Sequence, residues 1–384
     1  MKILYFSSTS YIDADLSLLK SFREKGHEVV FVLHVFPNGL RSTLIDIPKI
    51  YPHTGIFDAS VYGDAITRYQ EFLGDVKIYV SNITTNSISP KSLLLEWDIY
   101  KLIKKEKPDV IHRVGIPGIF SIPFLKFYKN LVVTVHDPVP HENEEKRKLL
   151  IMRRLVLRNV KNIVLLNKEQ TNGFLTHYSL NGRRKNISYS RLGNYEVLRM
   201  FGKDEPQEYR NILFYGRISQ YKGVDYLLEA FSKIKEQFRD VKLIIAGKGD
   251  FHFDISPYQN DKQIEFRNRF ITLDELGTLI RNCEFVVCPY VSATQSGLVA
   301  SSLALNKPLI VTNVGGLPEM IENGKSGMVV PAKESASLAE AMSFLLSNTD
   351  ALHGMISYIQ ESSQCGRSSW SKIADDYLKV YNVL

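Results

Sequence analysis

Apolar positions along the chain alternate between two patterns. Short runs rich in β-branched and aromatic residues recur at Ile3–Phe6, Val29–Leu33, Val76–Val80, Val110–Ile111, Leu131–Val135 and Ile163–Leu166. Several are apolar without a break, as strands buried on both faces of a parallel sheet are. The pattern restarts with Ile212–Tyr215, Val241–Ala246, Phe285–Cys288, Leu309–Val311 and Met328–Val330. Helical spacing fits Val224–Gln237, Leu273–Arg281, Gly297–Leu305 and Ser337–Leu346. Strand–helix alternation, twice over, predicts an α/β chain of two doubly wound, Rossmann-like domains. The polar stretch Arg191–Arg210, which holds Pro206, predicts the boundary. The expected domains are therefore residues 1–195 and 208–365, followed by a polar stretch Ser362–Ser369 and a last helix over Trp370–Tyr381. Open α/β sheets bind ligands beyond the carboxyl ends of their strands. The expected site is thus a cleft between two facing domains.

Composition narrows the class. Apolar residues make up 44% and charged residues 23%, and 20 Phe with 20 Tyr exclude a disordered chain. The net charge of +7 is uneven: residues 1–195 carry 28 basic and 18 acidic side chains, the remainder 20 and 23. The first half is built to tolerate an acidic partner, or simply presents a solvated basic surface. No nucleic-acid-binding module is recognisable, so no nucleic-acid partner is expected. Three cysteines form no disulfide framework, and Cys283 and Cys288 are expected to be small core residues of a chain in a reducing compartment. The apolar run Leu149–Leu157 is interrupted by Arg153 and Arg154 and is too short to cross a bilayer. The opening MKILYFSS is too short for a signal peptide and predicts a strand, so a cytoplasmic location is expected. Lys146–Arg158 has the pattern of a basic amphipathic helix. It would either lie on an anionic membrane or turn its apolar stripe into the core, and the second is the preferred expectation.

Three stretches could carry chemistry. In Phe214-Tyr-Gly-Arg-Ile-Ser-Gln-Tyr-Lys-Gly223, Gly216 allows a tight turn, and Arg217 and Lys222 stand beside the start of a helix. Two cations next to free helix N–H groups suit a diphosphate. In Cys288-Pro-Tyr-Val-Ser-Ala-Thr-Gln-Ser-Gly-Leu-Val-Ala300, a buried strand leads to a loop of small polar residues and a second helix. Ser296 and Gly297 would let the backbone approach a phosphate, or Ser296 would be an ordinary N-cap. Val311–Gly327 follows with a Gly-Gly turn, a short helix carrying Glu319, and another Gly turn. Glu319 would face a cleft or stabilise its own helix start. No acidic metal-binding motif stands out.

In this order and spacing, the three stretches resemble the retaining glycosyltransferases of family 4, which have the GT-B fold. The likeness is strong over Asn211–Pro331 and weaker at Thr134–Pro138 and the first strand. It implies that the second domain binds a nucleotide-sugar donor, the first receives the acceptor, and the last helix, 370–384, packs back on the first. It places Arg217 and Lys222 on the donor diphosphate. It makes His136, in Val133-Thr-Val-His-Asp-Pro138, an active-site histidine touching the donor sugar; unaided, that histidine reads as a structural one at a strand end. Gly216, Lys248, Arg269, Phe270, Ile271, Thr294, Gln295, Ser296, Gly297, Leu298 and Ser302 become the donor-binding set, with the base held largely by backbone at residues 269–272.

Two features depart from the family. Members often have two Glu eight residues apart where this chain has Thr294 and Ser302. Hydroxyls still hydrogen-bond but supply no charge. Many members also have a Gly-Gly turn after strand one, where this chain has Ser7-Ser-Thr-Ser10. Side chains of Ser8, Thr9 and Ser10 would then line the acceptor side. The resemblance implies a metal-independent, retaining hexosyltransferase without a cofactor. It would use a UDP- or GDP-sugar and a saccharide or lipid-linked acceptor, in surface polysaccharide or glycolipid synthesis, with attraction to an anionic membrane surface. Other GT-B activities, an epimerase or a phosphorylase, and a non-catalytic nucleotide-binding subunit are the alternatives.

Overall fold

The computed structural model describes residues 1–42, 44–85, 89–136, 138, 147–293, 296–366 and 369–384. The chain forms two compact units. One comprises residues 1–193 with 370–384, and the other residues 194–369.

The first unit is built on β1 (Lys2–Ser8), β2 (Glu28–Val35), β3 (Gly55–Asp58), β4 (Lys77–Asn82), β5 (Val110–Val114), β6 (Leu131–Val135), β7 (Asn162–Leu165) and β8 (Asn186–Tyr189). Their order in the sheet is β3-β4-β2-β1-β5-β6-β7-β8. All pairs are parallel except β3 with β4. Its helices are α1 (Ile12–Glu24), the single turns α2 (Asp64–Thr67) and α3 (Gln70–Leu73), α4 (Pro90–Glu106), α5 (Ile122–Leu125), α6 (Arg147–Asn159) and α7 (Thr171–His177).

The second unit contains β9 (Arg210–Tyr215), β10 (Val241–Ala246), β11 (Ile264–Arg267), β12 (Cys283–Cys288), β13 (Leu309–Thr312) and β14 (Gly327–Val330). Its helices are α8 (Val224–Ile234), α9 (Leu273–Arg281), α10 (Gly297–Ala304), α11 (Ser335–Ser347) and α12 (Thr349–Cys365). The sheet is wholly parallel, in the order β11-β10-β9-β12-β13-β14. Both sheets start at a central strand, grow one way, then reverse. That is the Rossmann arrangement, with switch points between β1 and β5 and between β9 and β12.

The apolar runs became strands because they are buried on both faces. In the first unit, Leu4, Phe6, Val133 and Val135 pack under Leu95 and Ile99 of α4, Phe124 and Leu125 of α5, and Val156 and Leu157 of α6. The other face is covered by α1 and by the final helix, α13 (Trp370–Tyr381), whose Tyr377 and Tyr381 rings lie 6.4 and 5.7 Å from Phe22. A polar network is buried there. Tyr5 and Ser7 hydroxyls donate to Asp15. His112 Nδ1 meets Tyr381 Oη, and its Nε2 meets Thr134 Oγ1 at 2.8 Å. Burial holds His112 neutral, with its pKa lowered to about 3, and raises Asp15 to about 7.

One sequence expectation is corrected and two are refined. The division between the units, at residues 193/194, falls inside the expected stretch, and residues 196–207, outside both expected domains, belong to the second unit, where the turn Glu196–Met200 buries Val197 and Leu198. The polar stretch after residue 362 begins inside α12, which runs to Cys365. On α6 only Val156 and Leu157 are buried, whereas Leu149, Ile151 and Leu155 are exposed, so most of its apolar side chains are not in the core. Among the described residues, no helix is long and apolar enough to cross a membrane. Cys283 and Cys288 are buried free thiols, as their apolar setting predicts, and burial pushes both up to about 12.

Candidate functional site

In the second unit, the two loops richest in small and cationic residues leave neighbouring strands at the switch point. β9 ends at Tyr215, and Gly216 follows at φ +117°. Its amide donates to Ala246 O at 2.9 Å, and Ile218 N donates to Lys248 O at 3.1 Å. This brings the loop of Lys248 against the loop of Arg217. The approach is close: a Cβ on Gly247 (φ +143°) would lie 1.9 Å from Gly216 O. Arg217 and Lys248 are both exposed.

The chain then makes the turn Gln220–Lys222 and enters α8 through Gly223, in the left-handed region at φ +64°. A Cβ at Gly223 would meet Pro289 O at 2.0 Å. The first loop is therefore seated on the end of β12. Lys222 Nζ lies 3.6 Å from the centroid of the Tyr290 ring and 5.0 Å from that of Tyr221. Burial lowers its pKa from the usual lysine value, partly offset by the neighbouring Tyr221. A cation on an aromatic face is held in place while its charge remains available to an anion.

Tyr290 also reaches the second loop. Its hydroxyl meets Ser296 Oγ at 3.2 Å, and Thr312 Oγ1 donates to Tyr290 O at 2.5 Å. Ser296 is the N-cap of α10, but its side chain makes no capping bond. Its amide points at Met320 Sδ, 3.4 Å away. A thioether is a weak acceptor, so the start of α10 retains a donor that a phosphate oxygen would satisfy better. Gly297 is exposed beside it, with the Tyr195 ring 3.3 Å from where its Cβ would be.

The structure thus brings together Gly216, Arg217, Lys222, Lys248, Ser296 and Gly297 around the carboxyl ends of β9, β10 and β12. Leu298 adjoins them as a buried residue of α10. Ser302 does not join them. It is fully buried, and its hydroxyl bonds Leu298 O at 2.8 Å and Tyr215 Oη at 3.1 Å. It serves the packing of α10 on β9, not a ligand surface. Thr294 and Gln295 lie outside the described residues.

At the end of β11, Arg269 and Phe270 are exposed, and Ile271 is half-buried. Arg269 grips Glu275 with two bonds of 2.6 Å, and Arg267 adds a third at 3.0 Å. Thr272 caps α9 by accepting from Glu275 N. The exposed backbone around Phe270 is therefore held from both sides. Glu319 is exposed on the short turn Leu317–Met320.

In the first unit, a cavity of about 770 Å³ opens at the β1/β5 switch point. Ser8, Ser10 and Tyr11 line one side, and Gly115 and Ile116 the other. Thr9 is not part of it: its side chain is buried, and its Oγ1 has no hydrogen-bond partner. The floor holds Arg113, paired with Glu96 through two bonds of 3.2 and 3.1 Å, its Nε left unpartnered. His34 lines the same cavity, and burial near Arg113 lowers it to about 4. His136, at the end of β6, stacks on Tyr11 with ring centroids 4.4 Å apart; burial lowers it to about 4, so it is neutral at pH 7.

Sequence reasoning missed Tyr290, Met320 and Arg113. Tyr290 had a local signal, being an aromatic directly after a buried strand that ends in proline. The others acquire their role only through partners distant in sequence.

Residues 209–348 match the family model for glycosyl transferases group 1. The chain is 31% identical over 182 residues to an uncharacterized glycosyltransferase of Methanocaldococcus jannaschii, spanning 45% of this chain and 44% of that protein. A second uncharacterized glycosyltransferase of the same organism is 24% identical over 82% of this chain and 96% of its own length. Among solved structures, HepE of Anabaena in complex with UDP aligns over 100% of both chains with a TM-score of 0.65 at 15% identity. Residues 209–348 of the second unit are thus similar to group 1 glycosyl transferases, and the two Rossmann-like units have the GT-B fold.

Proposed function

We propose that the protein is a glycosyltransferase that moves a sugar from a nucleoside diphosphate to an acceptor hydroxyl. In this reading the second unit binds the donor and the first binds the acceptor. One observation carries it: Tyr290 ties Lys222 to the open start of α10, so that a cation and two backbone donors converge where a diphosphate would leave. The Anabaena neighbour solved with UDP supports the choice of a nucleotide ligand.

As the bond from sugar to diphosphate breaks, negative charge grows on the leaving oxygens. Arg217, Lys222 and the amides of Ser296 and Gly297 stabilise that charge. The two cations take the place of a metal. Anomeric configuration is retained, with the leaving phosphate helping to deprotonate the acceptor hydroxyl on the face it vacates. His136, neutral and stacked on Tyr11, positions rather than carries a proton. The exposed strand end at Arg269–Ile271 receives the base, chiefly through its backbone. The acceptor, a saccharide or a lipid-linked sugar of surface polysaccharide or glycolipid synthesis, enters the cavity beside Ser8 and Ser10. The site of action is the cytoplasmic side, near an anionic membrane.

The second reading is a nucleotide-binding subunit without turnover. It is favoured by the hydroxyls at Thr294 and Ser302, and by the burial of Ser302 away from any ligand. Calorimetry and nucleotide release across UDP-, GDP- and ADP-sugars separate the two. One tight binder with slow release supports the transferase. Binding without turnover, even with acceptors added, supports the subunit, and no binding removes both.

A further inference from the structure

The outer face of the layer formed by α4, α5 and α6 carries large apolar side chains that the fold leaves uncovered. On α4, Leu94 is 64% exposed and Trp97 49%; just after α5, Phe127 is 53% exposed; on α6, Ile151 is 57% exposed. α4 packs beside α5, and α5 beside α6, on the same side of the sheet. These side chains therefore share one surface. On α4 the pattern is regular: Leu95, Ile99, Leu102 and Ile103 face the core, while Leu94, Trp97, Lys101 and Lys104 recur at steps of three and four on the opposite face.

The same surface is cationic. Lys101 Nζ lies 5.9 Å from the Trp97 ring, Lys104 Nζ 5.5 Å from Tyr100, and Lys126 Nζ 5.0 Å from Phe127. Asp98, which pairs with Lys101 at 3.1 Å, is a carboxylate set among them. Long apolar stems and rings with ammonium groups at their edge match the boundary between acyl chains and anionic headgroups. A second copy of the chain fits poorly, because a twofold contact would set these lysines against their own images.

We propose that this face docks the protein on an anionic lipid bilayer, with Leu94, Trp97 and Phe127 entering the interface and Lys101, Lys104 and Lys126 meeting lipid phosphates. α6 belongs both to this face and to the cavity wall, where Leu149, Met152 and Arg153 stand. Docking would therefore bring the cavity mouth to the bilayer surface. The proposal does not depend on which reaction the protein performs.

Tryptophan fluorescence tests it directly. The chain has two tryptophans, and Trp370 is buried, so Trp97 is the one that can report contact. The full chain is mixed with phosphatidylcholine vesicles, with and without phosphatidylglycerol, and followed by sedimentation and emission. The expected result is co-sedimentation with the anionic vesicles and a blue shift that Trp97→Phe abolishes. Leu94→Ser combined with Trp97→Ser lowers vesicle partitioning roughly tenfold or more. A near-ultraviolet dichroism signal like that of Trp97→Phe shows that the double variant is folded. Absence of sedimentation, sedimentation with unchanged Trp97 emission, or a blue shift that follows protein concentration without lipid would each overturn the proposal.

Discussion

The Lys222 ammonium rests 3.6 Å above the Tyr290 ring, joining a cation that leaves β9 to the loop that leaves β12. Each loop alone is an ordinary strand-to-helix connection. Together they set a cation held on an aromatic face beside the start of a helix, an arrangement that suits an anion.

Removing that charge is expected to act on turnover. Arg217→Ala and Lys222→Ala should each lower kcat with the preferred donor by roughly 10²–10³-fold. Because burial lowers the pKa of Lys222, affinity for a nucleoside diphosphate should decline at a lower pH than an ordinary lysine would give. The decline should vanish in Lys222→Arg, whose guanidinium stays charged. Calorimetric titrations across neutral to alkaline pH measure this, and coincident profiles for the two proteins would refute it.

Two glycines of the second unit should respond differently to alanine. Gly247→Ala places a methyl 1.9 Å from Gly216 O at φ +143°, and should destabilise that unit by about 2 kcal/mol or more. Gly297→Ala meets the edge of Tyr195 at 3.3 Å, a contact that a side chain can relieve. It should leave the melting temperature nearly unchanged while weakening nucleotide binding, since in the proposed function the methyl would stand where a phosphate approaches. Calorimetric melting alongside nucleotide titration distinguishes the two effects.

Asp15 predicts a pH effect on the first unit. Its folded pKa of about 7 lies above the ordinary carboxylate value of about 3.9. Between those values the folded chain keeps a proton that the unfolded chain has released, so rising pH weakens the fold until about pH 7. The buried histidines act in the opposite sense, and a difference measurement removes them. The stability of the natural chain minus that of Asp15→Asn should fall by up to about 1.4 kcal/mol per pH unit from about pH 4 to 7, then level off. Urea titration followed by tryptophan emission suits this, because Trp97 and Trp370 both lie in the first unit. Parallel curves would remove Asp15 as the titrating group.

The attachment of α13 can be tested at Tyr381. Tyr381→Phe leaves His112 Nδ1 buried without its partner. The expected loss is about 1–3 kcal/mol in the first unit, with melting of the second unit unchanged. A loss no greater than that from an exposed tyrosine such as Tyr189→Phe would contradict it.

Much of the architecture was legible because central strands such as Ile212–Tyr215 and Leu131–Val135 are apolar on both faces. The edge strands Gly55–Asp58, Asn186–Tyr189 and Ile264–Arg267 were not legible. They are short and half-exposed, and their polar residues look like loop. The turns after β9 and β12 were visible through glycine and charge. The role of Ser302 was misjudged because spacing along the chain does not say which face of α10 meets Tyr215. The exposed side of α6 escaped for a similar reason: its pattern was correct, but amphipathicity alone does not decide whether the apolar stripe is covered.

The return of α13 to the first unit also sets an order for biosynthesis. The second unit is one continuous segment and can close as soon as residue 369 has left the ribosome. The first unit, although begun earlier, lacks the cover of α1 and the partner of His112 until Tyr381 emerges. During synthesis the half of the protein made first is thus the half completed last, and for that interval a nascent chain carries an open apolar face of the kind chaperones hold.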